Sequence, residues 1–383
     1  MARAHDENQY ASGSGIPMPT PINGRKRTID VTISDEDDMV LHSPGPRKKG
    51  LKVDPLVGYG KHWGRTICAF NNIRTMIKDG VQRSEEMSSN GVTLEQLPPM
   101  EKKDHTLFLE LLKLCPFLTD RLYGMDRTDA YTAYAADLLT QGVNTARADD
   151  IKSLKGTIID WITPPGGVLI PAISRSSKLT RGFHHEVTGR YLCPTDYDWD
   201  DESTRNQLQT GVIVTSGLQW PNLLFAGLKA DPDDMWKGLL RSKILVQAYK
   251  HVFTSPSSVD GHHRATRGGN AQIHGMTKVT AASLAYVAML VRFSLCPAGS
   301  FSRDDLVTDS TRFYSCLLSF LELKGEQNHV ASLLEWWDQQ IFPNQSVLSN
   351  QLVVPKTSAL AKLREQRERR ALETISNVNS QTS

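Results

Sequence analysis

Apolar positions recur at helical spacing, three to four residues apart, over nearly all of residues 56–355. Leu107, Leu111 and Leu114 share one face, with Phe108 and Leu112 beside them. Pro116 predicts the break that follows, because its ring removes a backbone donor and crowds the preceding turn. The spacing predicts one helix over 130–139 and a second over 151–162, stopped by Pro164-Pro165-Gly166-Gly167. Another, over 184–191, stops at Cys193-Pro194. Asp231-Pro232-Asp233-Asp234 reads as the cap and acidic first turn of a helix through Trp236, Leu239, Leu240 and Ile244, ending before Ser255-Pro256. Residues 277–295 are apolar on most faces, which predicts a central buried helix. Asp309 is placed to cap a helix bearing Phe313, Leu317, Phe320 and Leu321, with Gly325 ending it. Val330, Leu333, Leu334, Trp337 and Ile341 form the clearest amphipathic stripe, closed by Pro343. Trp337 falls on that stripe, so the Trp336-Trp337 pair belongs to the core rather than to a stacking platform.

Two short apolar runs, 167–173 and 211–215, have strand character, but strands do not alternate with helices and no repeat is present. The pattern therefore predicts an all-α fold, a single large multi-helix globular domain of about ten helices over 56–355. Residues 1–55 are rich in Gly, Ser, Pro and charge, too poor in apolar surface to offset the entropy of ordering, and read as a disordered tail. A charged helix over 356–375 and a disordered end over 376–383 complete the organisation.

Composition narrows the classes. The 383 residues carry 44 Lys and Arg against 42 Asp and Glu, so no global field draws the chain to nucleic acid or membrane. Met-Ala-Arg-Ala-His-Asp-Glu-Asn at the start has no apolar core, so no secretory signal is expected. The longest apolar run, 281–295, is shorter than the ~20 residues of a membrane helix, and Arg292 interrupts it. The five cysteines, Cys68, Cys115, Cys193, Cys296 and Cys316, are odd in number and lack C-x-x-C spacing, which fits reduced thiols inside a cell.

Several segments occur together that carry a resemblance: Asp198-Trp199-Asp200-Asp201, Trp236-Lys237-Gly238-Leu239-Leu240-Arg241-Ser242 and Phe253-Thr254-Ser255-Pro256-Ser257-Ser258. Ile273-His274-Gly275-Met276 and Ala285-Tyr286-Val287-Ala288 belong to the same set. Over about residues 150–345 the chain resembles a family of proteins from mushroom-forming (basidiomycete) fungi, classed as a domain of unknown function. The resemblance implies a fungal source and brings no activity, cofactor or catalytic residue with it. Both tails fall outside it.

Four places hold candidate chemistry. In the tail, Arg25, Lys26 and Arg27 and then Arg47, Lys48 and Lys49 form two basic clusters of the kind that act as nuclear localisation signals. Between them Ile29, Val31 and Ile33 alternate before Asp35-Glu36-Asp37-Asp38, a pattern that resembles a SUMO-interacting motif and suits addition as a strand to a sheet edge. Ser34 before the acids and Ser43 before Pro44 resemble phosphorylation sites. The competing account is an ordinary solvated tail.

The second place is Asp196, Asp198 and Asp200, which mimic the start of a calcium loop. Asp201 stands where the turn requires Gly, and Gln207 where a bidentate Glu belongs. Acid clusters also hold Mg²⁺ for phosphoryl chemistry. Against this, Asp200 or Asp201 is placed to cap the next helix. The third place is the segment 262–274, with His262, His263, Arg264, Arg267, Gly268-Gly269, Asn270 and His274. Glycines beside Arg forks suit an anion or nucleic acid, although the Gly-Lys-Ser/Thr element of a phosphate loop is missing. His184-His185-Glu186 is similarly suggestive, and these histidines together with the acids would make a composite metal site only if the fold brought them together. The fourth is the basic run Lys362, Arg364, Arg367, Arg369 and Arg370, patterned like an exposed helix end.

The leading expectation is a non-enzymatic intracellular interaction protein, nuclear through its tail, binding protein first and nucleic acid second, with no cofactor and no membrane. The alternative is a metal-dependent phosphoryl-transfer or nuclease-like enzyme that uses the Asp196 cluster and the 262–274 loop. One cleft shared by those acids and histidines would favour the enzyme.

Overall fold

A computed structural model describes residues 54–124, 129–259, 269–301 and 309–343. Contacts separate Met1–Leu51 from Lys52–Ser383, and every described residue belongs to the second unit. Among the described residues there are twelve α-helices and no strand, so the fold is all-α. The first five are α1 (Pro55–Thr66), α2 (Ile73–Asn90), α3 (Pro99–Leu114), α4 (Pro116–Tyr123) and α5 (Asp129–Ile162). After an irregular passage come α6 (Glu186–Leu192), α7 (Glu202–Thr210) and α8 (Lys243–Tyr249), the last running into a π-helical turn, Lys250–Thr254. The remainder is α9 (Asn270–Ile273), α10 (Ala281–Leu295), α11 (Ser310–Leu321) and α12 (Gln327–Ile341).

Helix α5 is the spine. Its 34 residues reach about 50 Å at the usual helical rise. The first half places Ala135, Ala136, Leu139 and Val143 in one core with Trp63, Ile77, Phe108 and Leu111. The second half places Leu154, Ile158, Ile159 and Ile162 in a larger core built around α10. Helix α10 is buried from Ala282 to Leu295, as an all-apolar helix must be. Its start is fixed by a reciprocal cap in which Ser283 N donates to Thr280 Oγ1 at 3.1 Å and Thr280 N donates to Ser283 Oγ at 3.0 Å.

Helix α1 crosses α5 at backbone contact. A Cβ on Gly60 would overlap the Leu139 carbonyl oxygen, and one on Gly142 would overlap that of Val57. Beside the crossing, Arg65 donates to both carboxylate oxygens of Asp150, at 2.8 and 2.7 Å, and Tyr286 Oη of α10 donates to Asp150 Oδ2 at 2.8 Å. Arg147 donates to Ala69 O at 3.2 Å and lies over the Phe70 and Phe301 rings.

The structure corrects the sequence reading in three places. The helices expected over 130–139 and 151–162 are one continuous α5. Apolar periodicity lapses at 140–150 because that stretch carries Gly142, Arg147 and Asp150, whose partners are backbone and charge rather than core. The helix expected after Asp231 does not start there. Asp231 and Asp234 accept instead from Asp233 N and Trp236 N, each at 3.0 Å, and Gly238 and Leu240 take left-handed φ values of 78° and 54°. Helix α8 begins only at Lys243, though Leu239, Leu240 and Ile244 are buried as expected. The runs 167–173, in which Leu169 and Ile173 are buried, and 211–215 have no neighbouring strand among the described residues, and both are irregular.

Gly60→Ala is expected to lower the urea midpoint. A gain of about 1 kcal/mol in helix propensity is outweighed by roughly 1–3 kcal/mol of overpacking against a backbone that cannot yield as a side chain can. A midpoint equal to or above that of the wild type would contradict the close crossing.

Candidate functional site

The acid loop is tied down by its own side chains. Gly189 of α6 leaves room for the Trp199 ring, which a Cβ there would overlap, and Trp199 Nε1 donates to Glu186 Oε1 at 2.8 Å. Arg190 donates to Asp200 Oδ1 at 2.6 Å and to Glu186 Oε1 at 3.1 Å. That guanidinium holds the Asp200 carboxyl below the usual carboxylate range. Asp200 N donates to Asp198 Oδ1 at 2.9 Å, and Asp201 accepts from Ser203 N and Thr204 N at 3.3 and 3.0 Å as the cap of α7. Asp196, Asp198 and Asp200 do share a polar cleft of about 580 Å³ with Arg190 and Lys229. Among the described residues, no group of three or more His, Cys, Asp or Glu is arranged to hold a metal ion.

The second predicted locus is partly described. His262, His263, Arg264 and Arg267 lie outside the described residues. Asn270 Nδ2 donates to Val252 O at 2.5 Å, and a Cβ on Gly269 would overlap the Thr254 carbonyl, so both fasten the chain to the π turn. The His274 ring stacks on His62 with centroids 4.5 Å apart and planes at 18°. Burial, then His274 and Arg65, push the His62 imidazole down to about 4, and burial and Arg65 lower His274. Both rings are therefore neutral at pH 7. His274 borders a groove with Tyr59 and Lys113, separate from the acid cleft. His185 is buried, with Nε2 2.9 Å from Pro171 O and Nδ1 accepting from Val187 N at 3.1 Å. His251, in the π turn, has Nε2 2.5 Å from Ser153 Oγ, and burial lowers its pKa. Burial raises the Cys115 and Cys193 thiols to about 12, which keeps them protonated. The tail candidates Arg25, Lys26, Arg27, Ile29, Val31, Ile33, Ser34, Ser43, Arg47, Lys48 and Lys49, and the basic run Lys362, Arg364, Arg367, Arg369 and Arg370, also lie outside the described residues.

A third cleft was not foreseen. Residues 182–184 and 211–221 meet the C-terminal end of α10 and enclose an apolar pocket of about 200 Å³. Phe183, Leu192, Leu208 and Ile213 form its apolar walls, and Arg292 stands in the lining, its guanidinium over the Phe313 ring at 4.9 Å. The segment before it is pinned by two buried cations. Lys178 Nζ donates to Phe293 O at 2.6 Å and Ala298 O at 2.7 Å, and Arg181 Nη1 donates to Ser294 O at 2.7 Å. Val214 lines the pocket, and Val212 and Leu218 are close neighbours of lining residues in the chain; they are 74%, 72% and 59% exposed. The pocket is built from irregular backbone, which has no periodicity to read. Its one signal in the sequence was Arg292, a lone charge on the most apolar helix.

Residues 141–342 match the model of a family of unknown function, DUF6698. The chain belongs to this family. No curated protein and no solved structure matches it. The DUF6698 region begins within α5 and runs through α12, so it contains the acid loop, the apolar pocket and Arg292, while α1 to α4 precede it. Among the described residues of the DUF6698 chain, no helix is long and apolar enough to cross a membrane.

The neutral histidines make a pH prediction. With a folded value near 4 against an ordinary 6.5, His62 binds protons in the unfolded chain that the folded chain refuses. Stability is therefore lost as pH falls through that window, and His274 acts in the same direction. Urea midpoints at about pH 7 and about pH 4.5 should fall less for His62→Gln than for the wild type. An equal fall in both proteins would contradict the buried, neutral assignment.

Proposed function

We propose that this chain is a non-enzymatic interaction protein whose partner is another protein, docked at the apolar pocket beside the end of α10. The observation that carries this reading is the pocket's size together with its rim. Its volume of about 200 Å³ lies below the roughly 300–1,000 Å³ of small-molecule sites, and suits one inserted side chain. Val212, Val214 and Leu218 hold aliphatic surface in water beside it. Covering such side chains is worth roughly 1.5–3 kcal/mol each when burial is complete, and an anchor in a pocket ringed by apolar contacts is the usual arrangement of an interface hot spot.

Other features support this over the enzyme. Asp200 is engaged by Arg190, Asp201 caps a helix, and His274 stacks on His62 in a different cleft. Protein is favoured over nucleic acid as partner because the pocket walls are apolar and the chain's charge is nearly balanced. The basic clusters at Arg25, Lys26 and Arg27 and at Arg47, Lys48 and Lys49 support a nuclear place of action, and the resemblance of the segments named above to basidiomycete proteins supports a fungal source.

The test is site-specific photo-crosslinking in cells with the full chain. Replacing Val214 by p-benzoylphenylalanine should give a discrete protein adduct, recovered from the nuclear fraction if the basic clusters direct import. The same replacement at Gln82, exposed on α2, should not give that adduct. No adduct from position 214, or the same adducts from both positions, would overturn the docking reading.

A further inference from the structure

We propose that the stacked rings of His62 and His274 form an acid-released latch: they hold the end of α9 against α1 while both are neutral and free it when both carry protons. The latch lies at a different groove from the apolar pocket, so it goes beyond the docking reading and does not rest on it.

Helix α9 is a single turn of four residues, Asn270–Ile273. So short a helix does not hold itself in water. Gly269 and Asn270 fasten its start to the π turn. Its end is closed by Gly275, whose φ of 64° lets Gly275 N donate to Gln272 O at 3.3 Å and Met276 N to Ala271 O at 2.8 Å. His274 stands between the turn and that glycine, and its ring lies on His62 of α1 with centroids 4.5 Å apart and planes at 18°. Neither imidazole makes a hydrogen bond among the described residues, so the link is ring against ring. Rings so placed attract while neutral, whereas two imidazoliums at that separation repel.

The charged groups around the pair add to that repulsion or are engaged elsewhere. Arg65, one turn along α1 from His62, opposes charge on both rings. Asp150 of α5 is taken up by Arg65 and Tyr286, and Asp149 pairs with Lys61 at 3.2 Å. Lys113, at the end of α3, shares the groove with His274 and pairs with Glu110 at 2.7 Å. The segment 269–276 has no other titratable side chain. Charge on His274 also weighs against charge on His62, so the second proton is the one the stack resists. His105 and His251 each seal a ring nitrogen away without a partner, but His62 and His274 do not, so water reaches their nitrogens without unfolding. The stack therefore holds above the ordinary imidazole range and yields as pH falls through it toward about 4, the value of His62 in the closed state.

Hydrogen exchange of the full chain, read by mass spectrometry at about pH 7 and about pH 5, tests the latch. An opening that returns His62 from about 4 to 6.5 should lower protection at 272–276 about twentyfold at the acid pH, once intrinsic exchange is divided out. The amides of 333–341 in α12 should lose far less. His274→Phe and His62→Phe each keep a ring in the stack and remove one of its two titrating groups, so each should flatten the fall at 272–276. Protection in α12 shows which of the two variants folds, and either one suffices. Several results would overturn the latch: no protection at 272–276 at about pH 7, protection there unchanged by acid, or an equal fall in α12. A fall of undiminished size in a folded variant would overturn it as well.

Discussion

The architecture depends on the crossing of α1 over α5. At that point the two backbones touch through Gly60 and Gly142, and Arg65 reaches past the contact to grip Asp150. The ion pair is buried on both sides, with side-chain exposures of 5% and 8%. Charges so placed are costly unless each finds full hydrogen bonding, and the hydroxyl of Tyr286 supplies the remaining bond from α10. Burial works against the charge on Arg65, but the bond and charge of Asp150 outweigh it and hold the guanidinium protonated. Removing one member would strand the other in a site that water does not reach. Three helices from distant parts of the chain are thereby fixed in one geometry, and the two hydrophobic cores share a single helix.

The same logic recurs wherever charge is found inside. Lys178 and Arg181 lie in a passage without regular structure, and what anchors that passage is their bonding to the carbonyls that end α10. Arg147 bonds Ala69 O while lying over Phe70 and Phe301. His62 and His274 stack face to face and stay neutral. Among the described residues, Asp200, Asp201, His185 and Asn270, which resemble chemistry in the sequence, serve in the fold as caps and ties. The apolar cavity with its exposed aliphatic neighbours is the surface on which the proposed docking rests.

The helical class was legible because it rests on local rules. The stripe of Val330, Leu333, Trp337 and Ile341 became α12, the apolar run became α10, and Pro116 separated α3 from α4. What escaped had nonlocal causes. Residues 140–150 gave no apolar period because their partners, Val57, Arg65 and Ala69, lie some eighty residues earlier in the chain. The Asp231 segment carries every local sign of a helix start, yet the left-handed Gly238 and Leu240 and the bridge between Phe225 and Leu239 decide otherwise. The pocket was invisible because loops 182–184 and 211–221 meet only in three dimensions. The acid loop was half legible: capping by Asp201 follows from spacing, whereas the Arg190 bridge to Asp200 needed the turn to be seen.

The central claim is that one continuous α5, locked to α1 and α10, makes the two cores a single cooperative unit. Fluorine NMR of 5-fluorotryptophan protein tests this most directly, since Trp63 lies in the first core and Trp337 in the second, both fully buried. Across a urea titration the native resonances of both should vanish together, at one midpoint and with one slope. Separate midpoints for Trp63 and Trp337 would show that the cores unfold independently and would contradict the account.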